Sequence, residues 1–339
     1  MAPAPTFADV LPVKQLSSHQ YTVALENEWC IGTVPNGGYV TSAFLVVART
    51  HMSLTHRSRA EPHPINLHLE FLRRTSIGPT LFTVKDVKLG ARISNLHITL
   101  SQQEGPNDQW QDEVEGYITI SNLGTEAGLS IDTDYELYPP VLPVDLNLLS
   151  RGQDPNYALR VEDPFAEFRR AAQNIQMFLI RPERRPAGRS KAIIDQWVRF
   201  AVGGNGPNGR WTNDALGFIV DIFPQIVESY VNPFVEEAAL GQHSESELKE
   251  FLRSNEPRAK YWYPTLVLNL DVKKLLPPEG VEWLFVRVKA KAIRNGRFDL
   301  DVEVWDVQKE LVATSSHSSL VVDASRNTTR KGKTKTAKL

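Results

Sequence analysis

The sequence predicts an α+β chain built from two tandem units, each an antiparallel sheet wrapped around one central helix. Three observations predict it. Period-two strands fall into two sets, one in each half of the chain, and each set follows an apolar helix. The sets also match at a fixed offset: NLHLEFLRR at 66–74 lies over LVLNLDVKK at 266–274, each ending in a basic pair. Two copies of one structural unit account for this correspondence.

Unit one begins with short strands in QYTVALENEWCIG (20–32). Pro35, Asn36, Gly37 and Gly38 then supply turn and cap chemistry ahead of a helix in which Tyr39, Val40, Ala43, Phe44, Leu45, Val46, Val47 and Ala48 leave almost no polar stripe. A helix without a solvent face is enclosed by the sheet. Its first-turn N–H groups then lie inside the protein, where they need a carbonyl or an anion, and a substrate can be that partner. Strands follow at 65–74, 80–90, 93–103 and 112–122. Residues 125–164, with YPPVLPVDLNLLSRGQDP, are rich in Pro and turn residues and read as a connector. In unit two, 167–182 and 192–204 give the leading strands and DALGFIVDIFPQIVESY (214–230) reads as the buried helix. Strands at 265–274, 283–293, 298–306 and 313–322 complete it. The predicted division is 1–124 and 165–323 for the two units, 125–164 for the connector and 324–339 for a basic tail.

A content of 41% apolar residues suffices for a core in each unit. The balance of 38 basic against 40 acidic residues gives no overall charge to attract nucleic acid or a membrane surface. No apolar run reaches the roughly 20 residues of a membrane span, and MAPAPTFADV lacks the charged-then-apolar form of a secretory signal. Cys30 is the single cysteine, which excludes an intrachain disulfide and a cysteine-based zinc site; it reads as a small buried apolar side chain. The eight histidines show no metal-ligand spacing along the chain, so neither a metal nor a cofactor is expected. The basic C-terminal tail ends in Ala337, Lys338 and Leu339, which resembles the type 1 peroxisomal targeting tripeptide in its Ala-for-Ser form and implies a peroxisomal import receptor as partner.

Asp221 stands out physically. Leu216, Phe218, Ile219, Val220, Ile222, Phe223 and Ile226 surround it, so its carboxylate needs buried partners, and such groups concentrate in active sites or serve a structural interface. His317 lies in a hydroxyl-rich run, 314–319, inside a strand, which places it either in a wet cavity or at an edge. If it faces Asp221, the two have the parts of a general base oriented by a carboxylate.

WCIGTVPNGGYVTSAFL (29–45), LGFIVDIFPQ (216–225) and ELVATSSHSSLVV (310–322) resemble the tandem double hot-dog proteins of the acyl-CoA thioesterase II and thioesterase-like family. The resemblance runs from about residue 7 to 323, leaving out the connector and tail. It implies an acyl-CoA or carrier-bound acyl thioester as substrate, sheet-to-sheet homo-oligomers, and a water held by three side chains of unit two. Laid on this sequence, the aspartate is Asp221 and the hydroxyl is Thr265. The third position, a glutamine in the family, is His317, which changes both donor pattern and protonation range. Asn36, Gly37, Gly38 and Tyr39 are the expected substrate-binding residues, with the helix N–H groups at Gly37 and Gly38 against the thioester carbonyl. Three functions are open at this point: thioester hydrolysis; a hot-dog dehydratase, hydratase or other lyase acting on an acyl or polyketide-like intermediate; or a non-catalytic acyl-thioester binder. Two further segments are candidates around such a substrate: GGNGPNG (203–209) as a loop over the acyl tunnel, and RRPAGRSK (184–191) as a phosphate-binding patch or an ordinary solvated charge cluster.

Overall fold

The computed structural model describes residues 5–103, 109–160, 165–204, 206–223, 225–231 and 259–328, together with 244, 246, 247, 249 and 250. In the first half, β1 (Lys14–Ser17) and β2 (Gln20–Thr22) precede the long helix α1 (Gly37–Thr55), which is followed by β3 (His63–Phe71), β4 (Leu81–Leu89), β5 (Ser94–Gln102) and β6 (Gln111–Ser121). The second half runs β7 (Tyr157–Leu159), β8 (Ile175–Ile180), β9 (Ile193–Phe200), α2 (Leu216–Asp221), β10 (Thr265–Val272), β11 (Leu284–Lys289), β12 (Arg297–Trp305) and β13 (Leu311–Leu320). The thirteen strands lie in one sheet, in the order β1-β2-β4-β5-β6-β3-β10-β13-β12-β11-β9-β8-β7, and a fourteenth, short strand at Ile293–Arg294 pairs with β12 off this path. The fold is a double hot-dog of the α+β class.

The two halves join through their equivalent strands. β3 and β10 pair antiparallel, His68 opposite Asn269 and Leu69 opposite Leu268. Exchanging each member of the first pair for its counterpart in the other half, 68 for 268 and 269 for 69, gives the second, so a local two-fold axis passes between them. Each copy of the repeated strand therefore finds its partner in the other, and no edge is left at the junction.

α1 is as enclosed as its composition predicts: every residue from Gly38 to Ala48 is buried, as are His51 and Met52. The second helix is shorter than the apolar run suggests. It stops at Asp221, and Ile222 is already extended (φ −112°, ψ 101°). Pro224 follows in the sequence; its ring disfavours a helical residue before it, so the apolar pattern continues beyond the point where the helix can. One core cluster includes both helices and the inner faces of strands from both halves.

The connector is exposed over 125–136 and packs as a layer from Leu137 onward. Leu149 and Tyr157, with Leu137, Val141, Leu142, Val144 and Leu146 against them, cover Phe178, Ile180, Trp197 and Phe285 on the outer face of β8, β9 and β11, and Trp283 just before β11. Alternate residues of those strands, such as Met177, Val198 and Leu284, face the main core. The sheet here is buried on both sides, which explains why these strands read as continuous apolar runs.

Candidate active site

The two helices meet closely, and glycine makes the approach possible. A Cβ on Gly38 would lie 2.5 Å from the Gly217 carbonyl oxygen, and one on Gly217 would lie 2.6 Å from the Ser42 nitrogen. Ser42 fixes the crossing by accepting from the Phe218 N–H at 3.0 Å through its hydroxyl oxygen. This contact sets the end of α2 against the start of α1.

What sits in front of the enclosed helix is therefore Asp221, from the other half of the chain. Its Oδ2 accepts the Gly38 N–H at 2.8 Å and the Asn36 side-chain amide at 3.1 Å. A carboxylate at a helix N-terminus satisfies both the free donors and the helix dipole. Its Oδ1 accepts the Thr265 hydroxyl at 3.0 Å. His317 Nδ1 lies 3.5 Å from the same oxygen and is buried with no hydrogen-bond partner among the described residues. On its other side, His317 Nε2 lies 2.9 Å from Ser315 Oγ, whose hydroxyl donates to the Asn269 carbonyl. Ser315 thus accepts from Nε2–H, and Nδ1 is left on the Asp221 side.

Asp221 and Thr265 line a cavity of about 710 Å³, together with Asn36 and Gly37. Its apolar wall includes Phe71, Met177, Leu266 and Leu300, and basic residues Arg73, Arg74, Arg160 and Arg326 also border it. Arg169 forms part of another wall, where it donates to Glu228 at 2.9 Å while Tyr263 donates to the same carboxylate oxygen at 2.8 Å. Burial, and then the Glu228 charge, push the Tyr263 hydroxyl above its ordinary pKa, which keeps it a donor.

The structure brings Asp221, Thr265 and His317 together, but His317 lies behind Asp221 rather than on the cavity wall, its side chain fully buried. Of the expected substrate-binding residues, Asn36 and Gly37 border the cavity and two do not. Gly38 has its N–H engaged by Asp221, so it is not a free donor for a carbonyl. Tyr39 is a core residue, stacked on Trp29 at 5.0 Å between ring centroids, because its position on α1 turns it inward. Burial pushes its hydroxyl pKa upward. Asn36 caps α1, its Oδ1 accepting the Tyr39 N–H at 3.0 Å, and so orients Asp221 with its other side-chain atom.

Among the described residues, none of either segment proposed around the substrate borders the cavity. In the basic one, Arg189 pairs with buried Asp195 at 2.7 Å and Lys191 donates to the Ser229 carbonyl. The arginines that do border it include the basic pair Arg73 and Arg74, visible in the repeat but not as cavity residues. The cluster of Arg169, Glu228 and Tyr263 had no local signal. His19, His51 and His56, which show no metal-ligand spacing along the chain, converge on Asp86 near the C-terminal end of α1, away from this cavity.

Comparison with known proteins agrees with this architecture. Residues 25–121 match the family model described as "Acyl-CoA thioesterase N-terminal domain", and residues 152–321 match "Acyl-CoA thioesterase C-terminal domain". The chain belongs to the acyl-CoA thioesterase family. Within it, the thioesterase-like protein TwmA of Talaromyces wortmannii is 35% identical over 352 aligned residues, covering 98% of this chain and 97% of that protein. The fold is shared with a hot-dog protein of unknown function from Alicyclobacillus acidocaldarius, at a TM-score of 0.63 and 16% identity over 93% of this chain and 97% of the other. It is also shared with the acyl-CoA thioesterase II TesB2 of Mycobacterium marinum, at a TM-score of 0.54 and 16% identity over 94% and 98% of the two chains.

Proposed function

We propose that this thioesterase-family chain hydrolyses an acyl thioester, carried on coenzyme A or on a carrier-bound arm, to the free acid and thiol. The observation that carries the reading is the Asp221 carboxylate: it sits on the wall of a largely apolar cavity and is held by Gly38, Asn36 and Thr265. Water beside Asp221 Oδ1 and Thr265 Oγ1 attacks the thioester carbonyl carbon, and Asp221 takes its proton. The resulting carboxyl O–H faces the His317 Nδ1 lone pair, which accepts the hydrogen bond and makes Asp221 a stronger base. The Gly37 N–H, at the open end of α1, is the donor for the developing oxyanion, a contribution typically worth ~3 kcal/mol. Collapse of the tetrahedral intermediate breaks the C–S bond, and the proton held by Asp221 goes to the departing sulfur. Arg73, Arg74, Arg160 and Arg326 suit the phosphates of the thiol carrier.

His317 favours this reaction over dehydration. An imidazole buried behind Asp221 does not reach an acyl chain in the cavity to abstract its proton, whereas it can support a carboxylate that activates water. The test is free-thiol release from short, medium and long acyl-CoAs by the purified protein. Release is expected from at least one chain-length class. Binding of the esters with no release from any of them would leave a non-catalytic binder.

We also propose import into peroxisomes through Ala337, Lys338 and Leu339. The sequence of the tail supports this, and those three residues lie outside the described ones. A fluorescent fusion of the full chain should become punctate and turn diffuse when the tripeptide is deleted; an unchanged distribution would refute the signal.

A further inference from the structure

A second polar constellation lies at the opposite end of α1. His51 lies thirteen positions beyond Gly38, which is about 20 Å along the helix axis. There, one ligand-type atom from each of His19, His51, His56 and Asp86 lies within 4.8 Å of all the others. Nε2 of His51 is 2.9 Å from Asp86 Oδ1, while Nε2 of His56 and of His19 are 2.8 and 3.1 Å from Oδ2. The four residues come from three separate elements: the β1–β2 turn, the last turn and cap of α1, and the inward face of β4.

This is an unusual place for such groups. Asp86 continues the alternation of Phe82 and Val84, which are buried against the core, and His51 is fully buried on the helix facing them. A bulge between Asp86 and Lys88 locally reshapes the strand beside the cluster. Two of the histidines also have the outer partners that metal-binding imidazoles require. The Tyr21 hydroxyl donates to the Ser18 carbonyl at 3.1 Å, leaving its oxygen, 3.0 Å from His51 Nδ1, to accept that N–H. Ser18 Oγ lies 2.9 Å from His19 Nδ1 and can play the same part. In the tautomer with Nδ1 protonated, Nε2 presents a lone pair toward Asp86, the arrangement in which a cation is held between them; in the other tautomer Nε2–H donates to the carboxylate directly. The site also sits at the C-terminal, negative end of the α1 dipole, which favours positive charge.

We propose that His19, His51, His56 and Asp86 form a divalent transition-metal site of the zinc class, with all four ligands supplied by the chain. Three imidazole nitrogens and one carboxylate oxygen are a ligand set that suits tetrahedral zinc. Closing on the ion requires only local movement, since ligand atoms in a filled tetrahedral site are about 3.4 Å apart by the ~2.0–2.1 Å bond length. With no coordination position left for water or substrate, its role is structural: it ties the β1–β2 turn at the sheet edge to the end of α1 and to β4.

The test uses untagged full-length protein stripped with a chelator and titrated with Zn²⁺ alone by calorimetry and with Co²⁺ alone by visible absorption. One equivalent of Zn²⁺ should bind, Co²⁺ should give the intense visible bands of a tetrahedral site, and Zn²⁺ should raise the unfolding temperature. His19→Ala and His56→Ala remove partly exposed ligands, so they test the site without the folding risk of His51→Ala. Each should weaken Zn²⁺ binding by more than the ~10–100-fold expected for Tyr21→Phe, which removes only an outer partner. Folded stripped protein that takes up no Zn²⁺, or uptake unchanged in the His19 and His56 variants, would overturn the assignment.

Discussion

Replacing Asp221 with asparagine separates the chemistry of the site from its architecture. The carboxylate accepts from Gly38 N–H and Asn36 Nδ2 on one oxygen and from Thr265 Oγ1 on the other. An asparagine can keep most of this by turning its carbonyl toward Gly38 and Asn36. Its amide then faces Thr265 Oγ1, which can switch from donor to acceptor, and the His317 Nδ1 lone pair. The bonds lose their charge assistance but not their partners. Charged hydrogen bonds contribute ~1.5–3 kcal/mol and neutral ones ~0.5–1.5, while the burial cost of the charge is relieved, so the net destabilisation is about 1–3 kcal/mol. Catalysis loses its base, a factor of about 10²–10⁴, or about 2.7–5.4 kcal/mol of barrier. The assays are thiol release at saturating acyl-CoA and the urea midpoint of the same preparation. Asp221→Asn should therefore be a folded protein with little turnover. Turnover within about tenfold of the parent, with the fold intact, would refute Asp221 as the base; collapse of the fold would refute the rearrangement described for the amide.

Two other substitutions probe the surroundings of this carboxylate. His317→Gln should retain turnover within about tenfold, because the glutamine carbonyl can accept the hydrogen bond from protonated Asp221, whereas His317→Leu should lose about 100-fold or more; equal losses in steady-state thiol-release assays would show that accepting this bond is not what His317 does. Gly38→Ala should destabilise by about 1–3 kcal/mol in denaturant unfolding and reduce activity further, since its Cβ meets the Gly217 carbonyl oxygen at 2.5 Å. Gly37→Ala, whose Cβ meets the Asp221 side-chain oxygen at 3.0 Å and the Phe71 ring at 3.6 Å but no backbone atom among its nearest contacts, is the milder comparison, and equal stability losses would count against close helix crossing as the reason for Gly38.

The strands and α1 were legible because their signals are local. Period-two alternation marks β3 to β6 and β10 to β13, and the all-apolar face of α1 follows from a handful of consecutive residues. The duplication was legible as well, since 66–74 and 266–274 carry the same pattern. Composition misled at α2, where apolar residues continue past a proline that the backbone cannot continue through as helix. Asp221 was recognisable as a polar group with apolar neighbours, and the family resemblance added Thr265 and His317.

The sequence by itself determined the element types, the tandem repeat and which carboxylate would be set among apolar neighbours, because each depends on residues close together in the chain. Only the tertiary structure decided what those groups touch. Asp221 and the Gly38 N–H are 183 positions apart, and their contact depends on two glycines letting the helices cross. The same crossing engages Gly38, while inward packing keeps Tyr39 from the cavity. His19, His51, His56 and Asp86 have no common spacing, and their convergence depends on a turn, a helix end and a bulged strand folding to one point. Side-chain chemistry is local, but a binding site is a matter of distances that only long-range packing can fix.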